Sequence, residues 1–493
     1  MKKFILPLLA LACVCGNIRA GEIDRRIDAL LTAKGIVASP QSDSERLVRR
    51  YYLVVTDRIP TEEQTLAFLA NPDREALVDS LLASEGFVEK QVLKWGDMLR
   101  IKSEFPSCMW PNAVQAFNKW LTLEFRANTP YNEFVSHLLS GTGSNFRVPQ
   151  TNFYRAGNDR STRKFTSDIA LIFLGRRKAP AEWKPFFSQI KFKSTKEWKE
   201  EILCLDPDVK APFKALTLGD NSVRLKDGTD FRQPFIEWLT TGNRELARVY
   251  ANRLWFWLMG EGLISPVDDV EGRVPTNPGL LDYLTDSFIA SGYDVRALAR
   301  EILLSDAFAR STISNASNSE DGVYFSHYLQ SRLTAEQICD ALCDITGVPD
   351  LYSSRAPEPF TNFPAGTRAN QVCDGTITTP QLDIFGRPSR DVALESGRDN
   401  SVNAKQMLYL LNSIDIQSKL EKSPFVSSIQ RGANLEEMTD RIYLRVLSRH
   451  ASRAEKDAVI AFAQKTVGTD NAPEVAKALI WALVITDEFL FMN

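Results

Sequence analysis

Histidine is nearly absent: His137, His327 and His450 are the only three in 493 residues. A zinc site needs three or four close ligands, and no His-Glu-x-x-His or paired Cys-x-x-Cys supplies them. The sequence also lacks a Gly-x-Ser-x-Gly elbow, a Walker-type glycine-rich loop and a Gly-x-Gly-x-x-Gly after a strand. Gly141-Thr142-Gly143-Ser144-Asn145 comes nearest, and it reads as a turn after a helix rather than a phosphate cradle. A sulfatase-type Cys-x-Pro-x-Arg is missing as well. The predicted inventory is therefore no metal and no cofactor. Nor is there a basic surplus: 59 Lys and Arg stand against 62 Asp and Glu, which argues against a dedicated nucleic-acid binder.

Long apolar runs are equally scarce. The one that stands out, Phe4 to Gly16, follows Lys2 and Lys3 and precedes a polar stretch ending at Ala20. It is shorter than the roughly 20 residues that span a bilayer, and no later stretch is apolar enough, so no transmembrane segment is expected. The pattern is that of a signal peptide over residues 1–20, with Ile18 and Ala20 at the −3 and −1 positions. It predicts export to the periplasm or the extracellular cell surface, with a lipid anchor on Cys13 or Cys15 as the alternative. Removing Lys2, Lys3 and Arg19 leaves 56 basic residues against 62 acidic, a net charge of −6. Five cysteines then remain, Cys108, Cys204, Cys339, Cys343 and Cys373, an odd number that cannot all pair. Cys339 and Cys343 lie four apart on an expected helix and read as core packing.

What is present is helical periodicity. Apolar residues recur at three and four positions through most of the chain, and strand-like alternation is rare. Helices are predicted from Ser42-Asp43-Ser44 through Leu53, from Pro60-Thr61-Glu62-Glu63 onward, and over 73–83, 86–100, 112–126, 131–140, 162–175, 230–240, 244–259, 277–291, 294–305, 334–345, 403–421, 434–447, 452–466 and 472–486. Segments 190–228 and 350–400 break the pattern, and 311–324 reads as an exposed loop. Asp220-Asn221 and Asp227-Gly228 flank a short hairpin at Ser222 to Lys226. The predicted fold class is mainly α, a multi-helical two-domain protein with one or two short β-hairpins, divided at 21–228 and 229–493.

Two internal echoes stand out. RRYYLVVTDRIPTE (49–62) parallels RIYLRVLSRHASRAE (441–455), and LLASEGF (81–87) parallels ILLSDAF (302–308) and LVITDEF (483–489). Shared helix-end chemistry and an old duplication of a helical hairpin both account for them.

Several stretches match one family in order. In the first half they are LVRRYYLVVTDRIPTEEQTLAFLANPDREALVDSLLASEGFVEKQVLKWGDMLR and TPYNEFVSHLLSG. In the second half they include ANRLWFWLMGEGLISPVDDVEG, RLTAEQICDAL and FGRPSRDVALESGRDNSVNAKQMLYLLN. On these residues the chain resembles the Planctomycete cytochrome-C-associated proteins, which pair domains of unknown function numbered fifteen forty-nine, in the N-terminal half, and fifteen fifty-three, in the C-terminal half. The resemblance implies export, a helical two-domain build and a role at the cell surface in handling polysaccharide, and it names no reaction. Relatives typically carry Cys-x-x-Cys-His after the stretch corresponding to Phe173-Leu174-Gly175, where this chain reads RRKAPAEWKPFF. With no thiol or imidazole there, covalent haem at that position is excluded. Asn277 and Gly279 stand where relatives have His and Glu, and Ala393-Leu394-Glu395-Ser396-Gly397-Arg398 stands where they have Cys-x-Cys-Glu-Arg.

Three polar clusters remain as candidates. Arg387, Arg390, Asp391, Glu395, Arg398 and Asp399 crowd into thirteen residues beside Asn400 and Asn403. Arginine forks grip carboxylate or sulfate, so an anionic sugar or a peptide C-terminus could dock there; an internal salt-bridge network pinning an irregular segment is the alternative. Asn252, Arg253, Trp255 and Trp257 share one helix, with an Arg253–Trp257 stack available at i, i+4, against aromatic core packing around a buried arginine. Trp95, Asp97 and Arg100 form the third. Asp268-Asp269 and Glu271 offer carboxylates of the kind glycosidases use. The expected function is a binding or accessory role at the cell envelope, with a glycan or an envelope protein as partner. The alternative is a hydrolase or lyase acting on polysaccharide through carboxylates and arginines.

Overall fold

The computed structural model describes residues 16–103, 109–357 and 359–492. The predicted signal peptide lies outside these residues except for the backbone of 16–20, and so do Cys13, Cys15 and Cys108. The first helix, α1 (Gly16–Lys34), runs through the predicted cleavage site. Its helical signal is plain afterwards, because Ile23, Ile27 and Leu31, spaced by four, are all buried. The sequence reading assigned no helix there.

Most predicted helices form within a residue or two of their expected limits. Those that position the site are α2 (Ser44–Thr56), α3 (Glu85–Met98), α4 (Arg244–Met259), α5 (Ala335–Thr346), α6 (Ala404–Asn412) and α7 (Ile414–Glu421). The last two correct the single helix expected over 403–421. Ser413 takes ψ 115° and its hydroxyl accepts from the N–H of Ile416 at 3.3 Å, ending one helix and capping the next. Sheet content exceeds the expectation for 190–228. β2 (Ile190–Ser194) and β3 (Glu201–Leu205) pair antiparallel, and β1 (Gly143–Ser144) joins β3, so Gly143-Ser144 is a short strand rather than a free turn. The hairpin predicted at 222–226 sits earlier, as β4 (Leu216–Leu218) and β5 (Asn221–Val223) around Gly219, whose φ is +56°. β6 (Ser331–Arg332) pairs with β7 (Phe491–Met492) near the C-terminus.

Both echoes have structural counterparts. α2 ends on Asp57 and the helix Leu435–Leu447 ends on Ser448, each in the left-handed region, and each is followed by a capping box, on Thr61 and Ser452. In the threefold echo Ser84, Ser305 and Thr486 cap helices whose third residue is a buried Phe, donating its N–H at 3.4, 3.2 and 3.3 Å. Elements of both predicted halves contribute to one hydrophobic core, from Ile23 to Met492. At its centre Trp95 packs among Tyr131, Phe134, Phe173 and Tyr250. The described cysteines are free thiols. Among the described residues no helix is long and apolar enough to cross a membrane.

Candidate functional site

Segment 385–400 has little regular structure of its own, so its backbone polar groups need partners from elsewhere. Its own buried arginines pin it by donating to carbonyls of residue 101 and of 372–377. Arg387 donates to the carbonyls of Ile377 at 2.5 Å and Val372 at 2.9 Å. Arg390 donates to those of Cys373 at 2.5 Å and Ile101 at 3.0 Å. The Arg390 guanidinium fits against Gly96 of α3, where an added Cβ would stand 3.1 Å from it, and its stem runs past Gly375. These charges converge on two carboxylates. Asp97 of α3 accepts from Arg390 Nε at 2.8 Å and Arg398 Nη2 at 2.7 Å. Glu336 of α5 accepts from Arg398 Nη1 at 2.5 Å, with Arg387 Nε at 3.6 Å. Burial alone would raise both carboxyls, but Arg398 foremost, with Arg390 or Arg387, outweighs it and holds them below the usual carboxylate range.

The tryptophan cluster joins the same assembly from α4. Glu395 accepts from Lys94 Nζ at 2.5 Å and from Trp257 Nε1 at 3.1 Å, and its own N–H donates to Asp268 Oδ2 at 2.7 Å. Arg253 turns away from Trp257, donating to the Ile172 carbonyl at 2.7 Å and lying 3.6 Å from Asp268. The predicted Arg253–Trp257 stack is thus replaced by Lys94, 5.7 Å from the Trp257 ring centroid. Asn252 exchanges two hydrogen bonds with the backbone of Ile264, and Trp255 packs edge-on against Phe325 in the core. The third cluster divides: Trp95 is core, Asp97 is in the network, and Arg100 pairs with Asp168 at 2.6 Å. The candidate carboxylates likewise each hold a cation, Asp269 taking Arg177 and Arg273 and Glu271 lying near Arg176.

A cleft of about 110 Å³ opens over this network, lined by Lys90, Lys94, Trp257, Arg332, Glu395, Arg398 and neighbours including Asp57, Asn400 and Met492. Among the first-named candidates only Trp257, Glu395 and Arg398 reach it. Arg332, which sequence reasoning missed, clamps the carbonyls of Phe385, Asp399 and Asn400 at 2.8, 3.1 and 3.1 Å. It forms no carboxylate pair among the described residues, and its Nη1 is buried without an acceptor, as is Arg398 Nε. Lys90 and Lys94 were also missed, although their spacing of four from each other, and of three from Lys94 to the already named Asp97, places all three on one face of α3.

One turn along α5 from Glu336, buried Asp340 accepts the backbone N–H of Ala369 at 2.7 Å, with Arg368 3.6 Å away. Burial pushes its carboxyl up to about 7, against Arg368. An acid raised on folding weakens the fold progressively as pH climbs from near 4 toward 7 and stays costly above that. Asp340→Asn keeps the Oδ1 acceptor for the Ala369 N–H and gives up only the longer 3.4 Å bond from the Asn370 N–H, so urea unfolding should find it more stable than wild type at pH 8 and nearly equal at pH 4. The gain should be on the order of 2 kcal/mol, below the full linkage value because the charged site relaxes. Parallel pH profiles would contradict this.

Two family models match the chain. Residues 22–172 match PSCyt2, described as a protein of unknown function (DUF1549), and residues 231–463 match PSD1, described as a protein of unknown function (DUF1553). No curated protein and no solved structure matches.

Proposed function

We propose a binding role for this chain, which belongs to the family that pairs the DUF1549 and DUF1553 domains: it captures an oxyanion-bearing ligand in the Arg332–Arg398 cleft. The carrying observation is Arg332, a buried guanidinium with no paired carboxylate among the described residues and an orphaned Nη1 at a cleft where Lys90, Lys94, Arg332 and Arg398 face Asp57 and Glu395. Buried donors left without acceptors are costly, and a carboxylate or sulfate supplies both the acceptor and the charge. Size narrows the ligand. At about 110 Å³ the cleft has room for the anionic group of a larger molecule rather than for a whole sugar chain. An acidic glycan or a peptide C-terminus presented at the cell envelope fits this reading, and the signal-like N-terminus supports that address. The hydrolase or lyase reading needs a carboxylate free to act, whereas Asp97, Asp268, Glu336 and Glu395 each already accept hydrogen bonds or hold a cation.

Calorimetric titration with an acidic oligosaccharide, a sulfated one and a neutral one tests the proposal. The first two should bind and the neutral one should not. Arg332→Gln should weaken binding roughly 10- to 100-fold, the worth of one charge-assisted hydrogen bond, while Arg332→Lys should retain part of it. Equal binding of neutral and acidic sugars, or unchanged affinity in Arg332→Gln with native circular dichroism, would remove the cleft from consideration.

A further inference from the structure

The long echo and the threefold echo come together twice in the fold. α2 and the helix Leu435–Leu447 each pack against the next three α-helices. In each unit an arginine follows the left-handed residue that ends the first helix, Arg58 after Asp57 and Arg449 after Ser448, six residues beyond Tyr52 or Tyr443. In the second unit two carboxylates seat on that arginine. Glu455, third residue of the following helix, accepts from Arg449 at 2.7 and 2.9 Å. Glu488, two residues past the Thr486 cap, accepts from it at 2.6 and 2.8 Å. The matching positions in the first unit are Gln64 and Gly86, and neither carries a charge. Gly86 has no room for a side chain, since an added Cβ would stand 2.7 Å from the Thr56 Cβ. Arg58 instead pairs with Glu89 at 2.5 Å through Nη2, and its Nε, the counterpart of the atom that bonds Glu488, is buried without an acceptor.

A cleft of about 510 Å³ opens at these positions, lined by Tyr52, Arg58, Gln64 and Gly86 together with Arg368 and Arg445, and it shares no lining residue with the Arg332 cleft. Arg445 lies 4.5 Å over the Phe425 ring, donates to the carbonyls of Asp344 and Ile345 at 2.7 Å each, and forms no carboxylate pair among the described residues. The acids of the cleft are already engaged. Arg368 holds Asp344 at 2.8 and 2.9 Å, Arg126 holds Glu85 at 2.7 and 2.8 Å, and Arg441 lies 3.5 Å from Glu62. Hydrogen bonds from its own N–H and from Thr61 hold the Glu63 carboxyl below its usual range. A buried donor without an acceptor is costly, and a guanidinium fork grips a carboxylate best. We propose that this cleft receives a glutamate side chain from an acidic segment of a partner protein, its carboxylate taking on Arg58 the place that Glu488 takes on Arg449, with Arg445 adding positive charge beside it. The second unit carries its own acidic occupant, and the first takes one from outside.

Two blocked peptides, acetyl-Gly-Glu-Gly-amide and its Gln counterpart, titrated against the protein and read by saturation-transfer NMR, test this. The Glu peptide should bind and the Gln peptide should not. Gln64→Glu should weaken the Glu peptide at least about tenfold, because the new carboxylate occupies Arg58 as Glu455 occupies Arg449. The variant keeps its fold, since Glu455 fills the same capping-box position in the second unit. Arg58→Gln, with native circular dichroism, should also lose binding. Arg332→Gln should leave the peptide unaffected, and Gln64→Glu should leave acidic oligosaccharide binding unaffected, so the two clefts fail independently. A Glu peptide that does not bind, or that binds no better than the Gln peptide, overturns the proposal. So does binding indifferent to Gln64→Glu or lost in Arg332→Gln.

Discussion

Glu336→Gln is expected to lower the free energy of unfolding by about 3–5 kcal/mol, the cost of removing one partner from a buried ion pair. Glu336 is wholly inaccessible to solvent. Its carboxylate is one of two that neutralise Arg387, Arg390 and Arg398 where segment 385–400 meets α3 and α5. The variant keeps the volume and loses the charge, leaving Arg398 with Asp97 alone and Arg387 with only carbonyl acceptors. Urea unfolding followed by tryptophan fluorescence checks this, and a loss under 1 kcal/mol would mean the network is not what holds the segment. The same network makes the fold acid-sensitive. Carboxyls held below their usual range contribute stability that is present above it and is lost as pH falls through their folded values. Asp97, Glu336 and Glu395 should therefore cost the wild type stability below about pH 4, where the same groups in the unfolded chain take up protons that the native carboxyls resist. Glu336→Gln should be flatter with pH over that range.

Gly386→Ala should destabilise by on the order of 3 kcal/mol and abolish oxyanion binding together. Gly386 holds φ +83°, a conformation that costs other residues about 1–2 kcal/mol. An added Cβ would also overlap the Asp399 carbonyl oxygen, a backbone atom that cannot swing aside. Relieving that overlap separates 385–386 from 399–400, the carbonyl clamp that fixes Arg332. Gly397 provides the comparison, since an added Cβ there meets only Val392 at 3.4 Å and the backbone is not left-handed. Gly397→Ala should remain within about 0.5 kcal/mol of wild type. Gly386→Ala with normal stability and affinity would show that the clamp does not depend on this approach.

Legibility of the chain followed the range of the interactions involved. Helices such as Arg244–Met259 were readable because their apolar spacing and their caps, Asn243 and Gly260, are local. The break at Ser413 was not, because its cap differs from a mid-helix serine only in backbone angles. β2 carries a readable alternation, Ile190 and Phe192 against Lys191 and Lys193, but lies in a segment dismissed as irregular. The crowding of Arg387, Arg390 and Arg398 was evident from composition, and both of its readings were available. Their partners Asp97 and Glu336, hundreds of residues and dozens of residues away, carried no mark of the pairing.

By itself the sequence determined the helical class, the pairing of two domains, the absence of a haem motif and the location of the polar clusters, because each depends on residue type and short spacing. Only the tertiary structure decided that Trp257, Glu395 and Arg398 share a cleft while Arg253, Trp255, Arg387 and Arg390 are enclosed. It also brought Arg332 to that cleft. Whether an arginine serves a ligand or the fold depends on which carboxylates reach it, and that is fixed by long-range packing of α3, α4 and α5 rather than by any feature near it in the chain.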